Sequence, residues 1–239
     1  MAVAALLTAG HHGVKVAERH AERVAVLALF GVRPAELKRG IELELAADPQ
    51  SGRPFLAARV KGVKVNAERG QAWRTLVVPV DNAAARGLAA VLQERGGSAV
   101  VSMTDADHRS LNRALKPSGL SIYSFRHAVA SELKREAIRK PETAAGAATF
   151  MGHASTRSLM SYGRAVHARG GRRFGARAER QVRSVPVTFK QKADVREAAR
   201  ATAAQATVAR VPNLGALARR VQAPAGLTPP RGPKLPWKR

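Results

Sequence analysis

Gly31-Val-Arg-Pro-Ala-Glu-Leu-Lys-Arg-Gly-Ile-Glu-Leu-Glu-Leu45 is where the apolar period of the chain changes. Before it, Val16, Ala17, Ala21, Val24, Ala28 and Leu29 recur at helical spacing, and charges fill the opposite face. That pattern predicts a helix over 14–30. Gly31 suits its C-terminal stop. Val32-Arg33 forms a turn, Pro34 fits a first helical position, and the Glu36 carboxylate opposes a helix dipole in a first turn. The short second helix ends near Gly40. Ile41 to Leu45 then alternates apolar with acidic, the pattern of a half-buried strand. Residues 48–52 form a turn. Residues 55–65 and 73–80 read as two further strands, joined by 66–70. Together they predict a small three-stranded antiparallel sheet.

Helices return after Asp81, which suits the N-cap of a helix over 82–95 that ends at Gly96-Gly97. Thr104 with Asp107 resembles a capping box for a helix to about Lys116. Pro117-Ser-Gly119 breaks it. Ser124 is placed to cap the next helix, whose buried stripe is Phe125, Val129 and Leu133. Pro141 restarts a helix to Met151, Gly152 stops it, and Ser155 or Thr156 caps a last helix carrying Tyr162. The expected fold class is α+β, mostly helical.

The 239 residues contain no cysteine, so disulfides and Cys-ligated zinc are excluded. No apolar run approaches the roughly 20 residues of a membrane span, and residues 1–9 lack the basic start of a signal peptide. A cytoplasmic, nucleoid-associated protein with no membrane partner is expected. The net charge of +24 points to a polyanionic partner, nucleic acid first. That charge is uneven. Residues 1–162 hold 23 Lys/Arg and 14 Asp/Glu, whereas 163–239 hold 18 and 3. The chain therefore divides into a folded domain over 1–168 and a basic, Ala/Pro-rich extension over 169–239. Within the extension, 170–175 reads as a glycine hinge, 191–210 as an Ala-rich helix with a weak apolar face, and 211–239 as disordered.

Arg33 and Arg126 both stand at predicted helix starts. His153 follows a glycine, and Tyr162 lies nine residues beyond it. Each alone has an ordinary reading, as a surface arginine, a helix-stop histidine or a packing tyrosine. As a set they suit phosphoryl transfer. Guanidinium forks clamp phosphate oxygens, an imidazole donates a hydrogen bond, and a phenol attacks.

In order and spacing these residues resemble the tyrosine recombinases, or phage integrases. Their G-[LIV]-R-x-x-E-L box is matched by Gly31 to Leu37. Their basic hairpin ends in R-x-x-x-P; Arg74 to Pro79 is one residue longer. Their H-x-x-R-H is matched by Tyr123 to His127, with tyrosine in place of the first histidine. Their L-G-H is matched by Met151 to His153, and their nucleophile by Tyr162. The resemblance covers about residues 5–166. It implies a tyrosine-recombinase-like catalytic domain that cleaves double-stranded DNA through a covalent 3′-phosphotyrosyl link, for site-specific recombination or integration. Arg33 and Arg126 would grip the scissile phosphate, His153 would add a donor, Tyr123 would hydrogen-bond to phosphate, and Tyr162 would attack. A lysine would protonate the leaving 5′-oxygen. Lys64 is preferred over Lys61, although the expected position falls near Glu68 or Arg69. His127 would support the site from behind. No metal and no cofactor are implied, and synapsis would use a tetramer. The family's N-terminal core-binding domain has no counterpart before Arg33. That absence and the displaced lysine keep a second reading open, a catalytically impaired relative that binds DNA or regulates a recombinase. A basic RNA-binding or ribosomal protein would explain the charge but not the ordered boxes.

Overall fold

Alternation along 41–47, 54–61 and 73–79 places Ile41, Leu43, Leu56, Ala58, Val60, Leu76 and Val78 on one face, and all are buried. The computed structural model describes residues 13–185. In it Ile41–Ala47 (β1), Pro54–Lys61 (β2) and Trp73–Pro79 (β3) form the predicted antiparallel meander, with Leu43 opposite Ala58 and Ala58 opposite Leu76.

The sheet has five strands rather than three, in the order β4-β1-β2-β3-β5 and antiparallel throughout. Ser98–Val101 (β4) pairs with β1, and Gly175–Ala178 (β5) pairs with β3. Neither announces itself. β4 is four residues long, and Gly-Ala-Arg-Ala has almost no intrinsic strand preference. Both form because the meander leaves edges with unpaired N–H and C=O groups. The 170–175 stretch read as a hinge therefore leads into the sheet. Residues 191–210 and 211–239 lie outside the described residues.

One face of the sheet is covered by Gly13–Phe30 (α1), Ala83–Glu94 (α3) and Ala144–Phe150 (α6). Pro34–Lys38 (α2) links α1 to β1. Asp105–Leu115 (α4) and Ile122–Arg139 (α5) pack against α1. Val24, Leu27, Phe30, Leu88, Leu92, Val129, Leu133 and Phe150 join the strand residues in one continuous core. Each such large aliphatic or aromatic group contributes about 1.5–3 kcal/mol on burial. The fold is thus α+β, with helices outweighing a single antiparallel sheet. Among the described residues no helix is long and apolar enough to cross a membrane.

Several element ends differ from expectation for local reasons. Asn82, not Asp81, caps α3, accepting from the Ala85 N–H at 3.0 Å, while Asp81 pairs with Arg173. Ser121 caps α5, and Ser124 Oγ accepts its N–H at 3.0 Å. Thr104 and Asp107 form the predicted capping box of α4. Pro141 opens a 3₁₀ turn before α6. Tyr162 is on no α-helix: Thr156–Ser161 is a 3₁₀ turn, and Tyr162 comes after it in extended backbone.

Candidate active site

Glu36 sits at the centre of the site although it is wholly buried. The first turn of α2 aims its carboxylate inward. Its Oε2 accepts the Arg33 backbone N–H at 2.7 Å, and Oε1 accepts Arg33 Nη1 at 2.9 Å. Arg74 of β3 completes the arrangement as a two-pronged fork, Nη1 to Oε1 at 3.0 Å and Nη2 to Oε2 at 2.9 Å. Burial alone pushes the Glu36 carboxyl upward. The charge and hydrogen bonds of Arg74, then the charges of Arg33 and Arg126, outweigh it and hold the pKa at about 2. Arg74 also donates Nε to the Phe150 carbonyl at 3.2 Å, tying β3 to the end of α6. That approach demands Gly152. Its φ is +69°, and a Cβ there would lie 2.9 Å from the Arg74 guanidinium.

Arg126 of α5 is fully buried beside this cluster. Nη1 donates to the Gly31 carbonyl at 2.7 Å and Nη2 to the Met151 carbonyl at 2.6 Å, the two helix-stop regions flagged by glycine. Its Nε is buried without a partner. Desolvation and then the charge of Arg33 lower its pKa to about 10, so it stays cationic at neutral pH. This buried cluster therefore holds three guanidinium groups, those of Arg33, Arg74 and Arg126, against the one carboxylate of Glu36.

His153 lies next to them, 5% exposed, with neither ring nitrogen hydrogen-bonded. Desolvation, then the charges of Arg126, Arg33 and Arg74, depress its pKa to about 3, so the ring is neutral at physiological pH. A neutral imidazole keeps one N–H to donate. Gln71 Nε2 fixes the loop by donating to the His153 carbonyl at 3.0 Å. The Tyr162 ring stacks on His153 with centroids 5.3 Å apart. It also lies 5.1 Å from the Arg126 guanidinium carbon and 6.0 Å from the His127 ring.

These groups border an open cleft of about 510 Å³. Arg33, Lys64, His153 and Tyr162 line it, from four separate parts of the chain. Arg126 is not on the cleft wall; it is fully buried, with its guanidinium carbon 5.1 Å from the centre of the Tyr162 ring. Lys64 sits on the β2–β3 loop, whereas Lys61 points to the outer sheet face, over Trp73. Tyr123 is not brought in: it is 45% exposed on α5 and absent from the cleft wall. His127 is exposed beside Tyr162.

Sequence reasoning missed several wall residues. Arg69 and Glu68 were considered only as places where a lysine was expected. Arg157 lies just past the Ser155 cap at the start of the 3₁₀ turn. Arg183 comes from the segment read as a basic, Ala/Pro-rich extension, and nothing in its local sequence marks it. The role of Arg74 was also invisible, since a strand arginine reads as solvated and only the fold brings it to Glu36. The cleft wall thus carries five Lys or Arg side chains against the single carboxylate of Glu68. No family model, no curated protein and no solved structure matches the chain.

Proposed function

We propose that the protein cleaves and rejoins double-stranded DNA through Tyr162, as a tyrosine-type site-specific recombinase or integrase. The observation that carries this reading is the convergence of Arg33, Lys64, His153 and Tyr162 on one cleft, backed by a buried charge cluster with a positive excess. Three buried guanidiniums with one carboxylate leave unbalanced positive charge where desolvation is costly. A phosphodiester entering beside Arg33 and His153 offsets that charge.

The reaction can be written from these groups. Tyr162 Oη forms a bond to phosphorus and loses its proton to solvent in the open cleft. The P–O5′ bond breaks, and the departing oxygen takes a proton from the Lys64 ammonium. The products are a 3′-phosphotyrosyl link and a free 5′-hydroxyl. Arg33 and neutral His153 stabilise the crowded non-bridging oxygens, and Arg126 stabilises them from behind the Tyr162 ring. The covalent link preserves the bond energy, so a second DNA end reverses the step. Recombination on this basis requires self-association, with a tetramer in synapsis.

The test is covalent trapping on a nicked duplex that loses its 5′-hydroxyl fragment after cleavage. The unmodified protein is expected to form an adduct, and Tyr162→Phe to form none while binding the duplex with unchanged affinity. An adduct from Tyr162→Phe would remove Tyr162 as the nucleophile.

A binding protein without cleavage is the second reading. It is favoured by Arg126, whose two terminal nitrogens are committed to main-chain carbonyls, and by Tyr123 standing outside the cleft. Under it the unmodified protein shifts duplex DNA and forms no adduct.

A further inference from the structure

The last described residues, 181–185, run alongside the loop that comes after His153. Arg183 N–H donates to the Ala154 carbonyl at 3.0 Å, and the Arg183 carbonyl accepts from the Thr156 N–H at 3.1 Å. The two segments thereby form a parallel bridge between Ser155 and Arg183. Two residues on, Thr156 Oγ1 donates to the Val185 carbonyl at 3.0 Å and accepts the Val185 N–H at 2.9 Å. Thr156 is 2% exposed, and Val182 joins the hydrophobic core. Four hydrogen bonds and a buried valine fix a segment with no strand of its own. Their effect is to hold the Arg183 side chain on the cleft wall, where no carboxylate of the described residues pairs with it.

We propose that Arg183 is a further DNA-phosphate-binding residue of the cleft, presented by this strap and contacting a phosphate next to the one that Tyr162 attacks. The inference rests on the DNA-cleaving reading for its ligand, but it concerns binding only. Arg33 is bonded to Glu36 and His153 is buried, so both face a phosphate deep in the cleft. Arg183 is exposed, so its guanidinium meets the backbone where the strand leaves. The strap has a second consequence. Residues 186–239 carry 11 Lys/Arg and 2 Asp/Glu, and the chain enters them from the cleft wall.

Fluorescence anisotropy with a labelled duplex, repeated across a salt series with the full chain, tests this. Each lost phosphate contact on duplex DNA lowers the slope of log affinity against log salt by about 0.9. Arg183→Gln is expected to lower the slope by about that amount, and Arg183→Lys to restore it. Arg86→Gln, beyond the opposite end of β3, controls for loss of net charge and is expected to leave the slope unchanged. Thr156→Val releases the strap at Val185 with Arg183 intact. It is expected to reproduce the loss and add nothing in the double variant with Arg183→Gln. Identical slopes for Arg183→Gln and Arg86→Gln would overturn the proposal, as would full additivity in the double variant. Failure of covalent trapping in the unmodified protein counts against cleavage and leaves the salt slopes to decide on Arg183.

Discussion

Arg74 and Lys64 flank the same β2–β3 connection and carry the same charge, yet the fold treats them in opposite ways. The Arg74 side chain is fully buried and donates to Glu36 and the Phe150 carbonyl. Lys64 is exposed on the cleft rim and makes no hydrogen bond or ion pair within the described residues. The first charge is structural and draws β3, α2 and α6 into one unit. The second is left available. The pairing teaches that a positive site of this kind has two layers. The inner one is neutralised in part by protein and fixes geometry. The outer one is held open in water, where a charge is inexpensive to keep and free to meet a ligand.

The sharpest way to break this contrast is to remove the inner carboxylate. Glu36→Gln leaves Arg33, Arg74 and Arg126 together without an anion. Breaking a buried pair by deleting one partner costs about 3–5 kcal/mol. Urea unfolding is expected to show a loss of that size with an unchanged m-value. A loss below about 1 kcal/mol would mean that solvent reaches Arg74, and the inner layer would not exist as described.

The two layers also differed in how far sequence could reach them. Gly31, Arg33, Arg126, Gly152 and His153 stood at helix stops and starts, where local chemistry is informative, and the fold brings all five together. The sequence reading prefers Lys64 to Lys61, and the sheet separates them: Lys61 falls on the outer face and Lys64 in the loop. Tyr162 was assigned to a helix because Ser155 looked like a helix cap. Ser155 does cap, but it caps a 3₁₀ turn, since the Thr156 side chain is bonded to Val185 and the chain must turn to reach Ser131, whose hydroxyl accepts the Arg164 N–H. β4, β5 and the Arg183 strap depend on long-range pairing alone. Gly-Ala-Arg-Ala of β5 carries little strand preference, and the Val-Val pair of β4 is too short to show a period, so periodicity gives no warning of either.

Acid titration sharpens the comparison with a somewhat smaller effect. The folded-state pKa of His153 is depressed to about 3 from 6.5. Below pH 6.5 the unfolded chain takes up a proton that the folded chain refuses, so the stability present above that pH is lost as pH falls toward 3. Glu36, held at about 2 against 4.5, adds a loss in the same direction only below about pH 4.5. The window from 6.5 to 4.5 therefore isolates histidine. His20 and His108 are also lowered, by desolvation first, so the comparison must be with a His153→Gln variant. The unmodified protein is expected to lose up to about 3 kcal/mol more than this variant across the window. Parallel stability curves for the two would place a protonated imidazole in the folded cleft and contradict the neutral donor.

Lys64→Ala is expected to change stability least, by no more than about 0.5 kcal/mol, because an exposed and unbonded side chain leaves nothing unsatisfied when removed. The outer-layer reading makes a second demand of the same variant. A positioned general acid is worth about 10²–10⁴ in rate, so single-turnover adduct formation should fall by that factor while the unfolding curve stays in place. Replacing the 5′-oxygen of the scissile bond by a less basic leaving atom removes the need for an acid, and the Lys64→Ala deficit should then largely vanish. The deficit should persist in Arg33→Ala, whose task is to hold the phosphate whatever departs from it. A Lys64→Ala variant that lost stability as Glu36→Gln does would show that the rim lysine belongs to the inner layer. A deficit unaffected by the leaving atom would assign Lys64 to phosphate binding rather than to proton donation, because the other cations of the cleft wall are arginines, which do not give up a proton.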